Sequence, residues 1–450
     1  MFEITKEYVE SIKVAIEQQD SAFVKSSFEE LYPADIAQVL YELTTSDCIQ
    51  VINTLEDDFA AEVISYVDPD TRKDFLRNFD TQKLATFLKY IDSDDAVDIV
   101  NELPIKEREE VISYLEKVNK QTANNVTELL RYEADVAGGI MAKELVKTNV
   151  NWTVKRCIDQ IRIQAEKIDR IFSVYVVDDE DKLLGIVSTK KLLLTPDSIS
   201  LKDIYEPDII SVNSYEEVEQ VADLFKKYDL EALPVVNVQG KLVGLITVDD
   251  VLDVVTEKAE KDIQAMSGIS ESIEEDDSVW TLTRARLPWL LAGMVGGLLG
   301  AIFIGNFEQS LIAVPAMAFF IPLITATGGN VGVQSSSLIV QSLASHHLIE
   351  DSMYKRLGKV LAVAGLNGLI ICCIVFTFSY ILGHSFLLGM VVSIALFSVI
   401  LLASILGTIT PILLDRVGVN PALASGPFIT TANDLLGLGV YFSVAHMLLN

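Results

Sequence analysis

Apolar residues along this chain follow two rhythms, and the change between them falls near Arg286. Before that point, short apolar stripes at helical spacing alternate with polar turns; after it, long apolar runs follow one another with few charges. In the first part, helix-initiating residues recur with a period near twelve, at Pro33, Ser46, Asp57, Pro69, Thr81, Asp92 and Pro104. Each precedes a stripe such as IAQVLYEL, CIQVINTL or AVDIVNEL. A unit that short cannot bury a core of its own, so its neighbours must stack, and residues 1–131 read as an acidic all-α superhelix.

The pattern then changes to strand, turn, strand and helix, and it does so twice. SVYVVDDEDKLLGIVSTKKLL, starting at Ser173, matches ALPVVNVQGKLVGLITVDDVL, starting at Ala232, with a constant offset of 59. Residues 132–200 and 201–255 are accordingly two copies of one small α/β domain. A connecting helix and acidic linker, 256–285, follow. The helix that enters it carries Asp249, Asp250, Asp253, Glu257, Glu260 and Asp262, with Asp250, Asp253 and Glu257 on one face and Lys258 and Lys261 elsewhere.

From 286 to 450 we read five spans: Leu287–Ile304, Leu311–Leu343, Val360–Leu382, Phe386–Leu414 and Ala422–Leu449. A bilayer crossing needs about 20 apolar residues, so the second and fourth are long enough to tilt or break. The basic residues Arg284, Arg286, Lys355, Arg356, Lys359 and Arg416 all fall on one side of this arrangement. The positive-inside rule makes that side cytoplasmic, with the N-terminus inside and the C-terminus outside. MFEITKEYVESIK has no apolar signal core, which fits a cytosolic start.

Charge sharpens the division. Acids and bases balance from Arg286 onward, so the whole net charge of -29 lies before it. Such a soluble part disfavours nucleic acid and anionic lipid, which bind through basic patches, and favours cations. Cys48, Cys157, Cys372 and Cys373 have neither disulfide nor zinc spacing.

The spans also hold polar groups that a lipid anchor does not need. The second contains Pro315, Pro322 and the run TATGGNVGVQSSS, where the paired glycines predict an interrupted helix with carbonyls freed at membrane depth. The fifth opens with SGPFITTAND, where Pro427 is expected to free carbonyls one turn before Asp434. Asp434 is the only charged residue after Val417, and an intramembrane carboxylate marks ion or proton handling. Close packing of small residues is the alternative explanation of the glycines alone. In the soluble part Asp94 and Asp98 share a helix face at i and i+4, where like charges repel unless a cation joins them.

The repeated α/β unit resembles the CBS domain, which usually occurs as a tandem pair. The second copy is the better match through LPVVN, GKLVGLITVDDVL and EEVEQVADLFKKYDL. In such pairs a Ser or Thr and a nearby Asp hold an adenine nucleotide. Thr247 and Asp250 fit this pattern, while the first copy offers Ser188 with Lys191. Taken whole, the chain resembles the MgtE-type magnesium channels and transporters. The resemblance rests on the acidic superhelix, the AGGIM entry at 137–141, the CBS pair, the connecting helix, PLITATGGNVGVQS at 322–335 and GPFITTANDLLG at 426–437.

That resemblance implies a multi-domain fold: an all-α superhelical N-terminal domain, an α/β tandem CBS pair and an α-helical membrane domain with five transmembrane helices. It implies a homodimer in the plasma membrane of a bacterium, magnesium as both cargo and regulatory ligand, and ATP at the CBS pair. Asp434 matches the pore carboxylate, aided by Thr430 and Asn330. Oxygen ligands of this kind suit magnesium, which is small, octahedral and slow to shed water. The implied regulatory ligands are Glu62, Asp94, Asp98, Glu217, Glu219, Asp229, Asp250, Asp253 and Asp262. Asn420, Gly426, Lys258 and Lys261 stand where the family pattern has further oxygen ligands, so fewer metal sites are expected near the membrane. The competing functions are CBS-regulated transport of manganese, cobalt or another solute, and an intramembrane aspartyl protease. The protease needs two carboxylates, and the spans supply one per chain.

Overall fold

The computed structural model describes residues 4–29, 31–165, 168, 170–270, 273, 277–344, 353–424 and 426–449. His346, His347, Glu350, Asp351 and most of the ESIEEDD stretch lie outside these residues. The chain divides into two units, Met1–Val255 and Thr256–Asn450.

The first unit begins with α1 (Lys6–Glu17) and α2 (Ser21–Phe28), which precede the twelve-residue rhythm. Seven helices then start at or beside the residues that the sequence marks. They are α3 (Pro33–Tyr41), α4 (Thr45–Thr54), α5 (Asp57–Ser65), α6 (Pro69–Leu76), α7 (Thr81–Leu88), α8 (Ser93–Glu102) and α9 (Ile105–Val118), with α10 (Lys120–Leu129) closing the set. The starts are chemically defined. The Thr44 hydroxyl and the Asp80 carboxylate accept from backbone N–H groups of the first turn, and Pro33 occupies the first turn, where its missing N–H costs nothing.

From α2 to α8, each helix packs on the one two positions along. Thus α3, α5, α7 and α9 form one row, and α2, α4, α6, α8 and α10 form the other. The stripes Ile36, Val39 and Leu40, then Val51 and Ile52, then Ala60, Val63 and Ile64 are buried between the rows. Across the second row, Arg72 of α6 is only 4% exposed. Its Nε donates to both oxygens of Glu102 on α8, at 3.1 and 3.2 Å, and its Nη1 donates to the Ile64 and Ser65 carbonyls. All three guanidinium nitrogens are engaged, and such additional hydrogen bonds are what allow an ion pair to remain buried.

The two α/β copies have the same topology. The first has β1 (Val146–Asn149), α11 (Val154–Gln164), β2 (Val174–Val177), β3 (Leu183–Val187) and α12 (Thr189–Leu194). The second has β4 (Val212–Asn213), α13 (Val218–Tyr228), β5 (Ala232–Val236), β6 (Leu242–Thr247) and α14 (Val248–Met266). In each, the first strand pairs parallel and the third antiparallel to the middle one. A bulge falls at Val176/Val177 and again at Val235/Val236, 59 residues on, so the internal repeat extends to an irregularity of the backbone.

The AGGIM segment ties the helical rows to the second copy. Ala137 and Gly138 donate to the Glu216 and Ser214 carbonyls, and Ala142 exchanges a pair of hydrogen bonds with Leu245. Glycine is required here because a Cβ on Gly139 would lie 2.1 Å from the Glu133 carbonyl oxygen. The buried core of the rows runs on without a gap into Val221, Phe225, Val235 and Val251 of the second copy.

In the second unit, five helical segments among the described residues are long and apolar enough to cross a membrane. They contain α15 (Val279–Gly305), α17 (Ile321–Ala344), α18 (Met353–Ile381), α19 (Phe386–Arg416) and α20 (Pro427–Leu449). A short α16 (Glu308–Ala313) and 3-10 turns at Pro315–Phe320 and Pro421–Ala424 join them.

Two expectations are corrected. α17 runs unbroken through Gly328 and Gly329, because these glycines let neighbouring helices approach and so recover in packing what they lose in helix propensity. Pro427 starts α20 instead of breaking it, so Asp434 lies two turns inside a regular helix, and the Gly426 carbonyl is taken by both the N–H and the hydroxyl of Thr430.

Candidate functional site

Within the membrane unit, α20 is held by helices that offer glycine where it passes. A Cβ on Gly296 of α15 would lie 2.0 Å from Thr431 Cγ2. A Cβ on Gly332 of α17 would lie 1.9 Å from Asn433 Nδ2. Beside these contacts, Gly329 of α17 faces both Thr430 and Asp434: its missing Cβ would be 3.1 Å from Thr430 Cγ2 and 3.7 Å from Asp434 Oδ1. The structure therefore brings Thr430 and Asp434 together, one turn apart on one face of α20. Asn330 comes next along α17 and is exposed, turned away from the packed side. Thr430 and Asp434 are half-buried and Asn330 is exposed.

In the first unit, two helix N-termini loaded with acid converge. α8 brings Asp94 and Asp95 in its first turn, with Asp92 before it and Asp98 after; α14 brings Asp249 and Asp250 in its first turn, followed by Asp253. The start of α8 is locked by Ser93, whose hydroxyl donates to Glu144 at 2.7 Å and accepts from the Lys143 N–H at 2.8 Å. At the start of α14, the Thr247 N–H donates to the Asp250 carboxylate at 3.0 Å, a bond of the capping-box kind.

Each carboxyl feels the others. Burial, then the Asp250 and Asp95 charges, push Asp94 well above the ordinary carboxylate range. Burial, then Asp250 and Asp98, push Asp95 up to about 7, with Arg72 pulling the other way. Burial pushes Asp250 up to about 6 against the stabilising hydrogen bonds from Thr247. Burial and Asp249 raise Asp253. The Tyr66 hydroxyl is raised by burial and then by the charges of Glu62, one turn before it, and of Asp95 and Asp249.

A divalent cation fits this donor set, because it would relieve repulsion that Arg72 alone does not offset. No three such side chains among the described residues close on a single point, so an ion would keep much of its water there, as magnesium prefers. Asp95, absent from the sequence-derived set, stands one residue from Asp94 and three from Asp98. The SDDAVD spacing contains that signal.

The other regulatory candidates lie elsewhere. Glu217 caps the start of α13 and accepts from the Gln220 side chain at 3.3 Å, while Asp229 caps its end in a left-handed conformation. With the whole helix between them they stand about 18 Å apart at 1.5 Å per residue, too far to share an ion. Glu219 lies in the first turn of the same helix. The nucleotide candidates are helix caps: Ser188 accepts from the Lys191 N–H at 3.3 Å, as Thr247 and Asp250 serve α14.

Asp262 of α14 has a different partner. It accepts a 2.9 Å hydrogen bond from Asn420 Nδ2, while Asn420 Oδ1 accepts from the Ala422 N–H at 2.8 Å, which orients the amide. Ala265, Val340 and Ala422 are buried beside this link. Lys261 is paired to Glu257 along the helix. An amide thus does here what a shared cation would do between two carboxylates. We expect Asn420→Asp to set two carboxylates against each other, so that protection from protease of α14 around Asp262 depends more strongly on magnesium than in the wild type. Equal protection of that variant with and without magnesium would count against this account.

Comparison with known proteins gives three family matches: the MgtE intracellular N domain over 31–135, CBS domains over 136–195 and 201–257, and MgtE, a divalent cation transporter, over 321–444. Relatives named magnesium transporter MgtE include one from Enterococcus faecalis, 34% identical over 73% of this chain and 72% of its own length. Another is from Thermus thermophilus, 35% identical over 74% of both chains. Among solved structures, the soluble part of a magnesium transporter matches with a TM-score of 0.52 at 29% identity, covering 56% of this chain and 99% of its own. The cytosolic domain of the Mg2+ channel MgtE in complex with ATP matches with a TM-score of 0.50 at 31% identity, covering 55% of this chain and 99% of its own.

Proposed function

The chain belongs to the MgtE family of divalent cation transporters, and from that premise we propose that it carries magnesium across the bacterial plasma membrane through a pore formed by two copies. One observation carries this reading: Asp434 and Thr430 meet at the Gly329 notch, with Asn330 exposed beside them. Each chain then offers half of an oxygen-lined site, and a second copy related by a two-fold axis completes it. Two Asp434 carboxylates hold a hydrated ion through its water, and the neutral groups around them align that water. Sulfur and imidazole are absent from the set, which disfavours zinc and copper.

On this reading the N-terminus is cytoplasmic and the C-terminus outside, in keeping with the distribution of basic residues. The acidic pocket of α8 and α14 is the sensor. Asp94, Asp95, Asp98, Asp250, Asp253 and Glu62 hold a partly hydrated magnesium ion when the cytosol is replete; when the ion leaves, repulsion favours the open state. Magnesium is the differential ligand of two states, and that is the thermodynamic requirement for gating. An adenine nucleotide at Thr247 and Asp250 is a further part of the reading, supported by the ATP complex of the structural relative.

The decisive experiment is ion flux into proteoliposomes holding the full chain. Magnesium uptake that manganese, cobalt and calcium do not match supports the proposal. Uptake that follows manganese or cobalt and ignores magnesium establishes the alternative cargo.

A further inference from the structure

Asn433 is 2% exposed, stands next to Asp434 and has no hydrogen-bond partner for its Nδ2. An unpaired amide in a dry interior costs free energy that an apolar residue of the same size avoids. Its setting shows what it does. Nδ2 occupies the space that a side chain at position 332 would fill, since a Cβ on Gly332 would be 1.9 Å from it. α17 cannot yield on its far side, because the Gly332 carbonyl oxygen is 2.4 Å from where a Cβ on Gly407 of α19 would lie. α20 cannot retreat freely either: on α15, the Gly296 notch already receives Thr431.

Successive residues on a helix are about 100° apart, so a side chain keyed at 433 fixes the bearing of residue 434. We propose that Asn433 is the positioning residue for Asp434: its carboxamide, seated in the notch of Gly332 backed by Gly407, sets the rotation of α20 that presents the carboxylate at Gly329. The inference rests on the reading of Asp434 as the pore carboxylate.

The reciprocal fit makes a rescue experiment available. Gly332→Ala forces the amide out of its notch and turns α20, so magnesium flux per reconstituted full-length dimer falls roughly tenfold or more, as overpacking of a close helix contact predicts. Asn433→Ala leaves the notch empty and the rotation loose, so the half-saturating magnesium concentration rises and discrimination against calcium falls. In the double variant the alanine methyl at 332 enters the vacated space, and flux recovers above that of Gly332→Ala alone.

Size-exclusion profiles confirm that each variant is folded. A variant that fails to fold is replaced by the pair Gly332→Ser and Asn433→Ser, read in the same way. Flux unchanged in Gly332→Ala, no recovery in the double variant, or loss of flux in Asn433→Ala at unaltered half-saturation and selectivity would each overturn the proposal. Asp434→Asn is measured alongside: full flux in that variant removes the pore reading itself, and is thereby separate from failure of the positioning role.

Discussion

Asp434→Ala should abolish magnesium flux, to at most about one hundredth of the wild-type rate, a factor that needs only about 2.7 kcal/mol. The physical reason is the site's poverty in charge. Apart from Asp434, the groups gathered at Gly329 are neutral, so no second carboxylate from the same chain can compensate. A unit charge pair 4 Å apart gains about 4 kcal/mol at an effective dielectric of 20, more for a divalent ion, and the loss of this term exceeds the factor required. The alanine also leaves in place the contacts of Thr431 and Asn433 with the glycines of α15 and α17. Flux into proteoliposomes decides the matter. Equal rates in wild type and variant would refute the assignment.

The second large effect belongs to the acidic pocket, and its sign follows from the raised carboxyls. Asp95 and Asp250 titrate at about 7 and about 6, against an ordinary value of 3.8. Groups raised in the folded state stabilise it fully below about pH 4, and that stabilisation is lost as pH climbs through 6 to 7. Through that range Asp95 and Asp250 ionise against burial and neighbouring charge, at a cost on the order of several kcal/mol, since one unit corresponds to about 1.4 kcal/mol and coupled shifts do not add. Magnesium should therefore protect α8 from hydrogen exchange strongly at pH 8 and little at pH 5, after correction for intrinsic rates, and should release protons as it binds between. The triple change Asp94→Asn, Asp95→Asn and Asp250→Asn should be protected at pH 8 without magnesium and gain nothing from it. Equal magnesium protection at the two pH values, or a triple variant that still responds, would exclude this pocket as the sensor.

Much of this architecture is legible in the sequence because it is written as repetition. The twelve-residue rhythm gives seven helix starts to within one residue, and the offset of 59 gives both α/β copies down to a shared bulge. The first two helices escape because they stand outside the rhythm. Composition misleads at Gly328 and Gly329: glycine weakens an isolated helix, but one pressed between neighbours needs small residues, and sequence does not show the neighbours. The same blindness hides Asn433, whose burial depends on how α20 is rotated. Glu217 and Asp229 share a short stretch of sequence with α13 between them, and only the helix shows that they point to separate places. Asp262 reads as a ligand in the sequence, and only the fold shows that Asn420, 158 residues on, donates to it.

The two-row stacking of the N-terminal helices has a consequence for parity. Because each helix packs on its second neighbour, the row in which a helix lies depends on whether an even or an odd number of units precedes it. Loss of two consecutive units before α8 would shorten the stack and leave each later helix in its row. Loss of one would exchange the rows of the helices before it, because the bonds of Ser93 to Lys143 and Glu144 keep α8 where it is. A pair of units, each of about twelve residues, is therefore the increment that lengthens or trims this domain with every helix kept in its row.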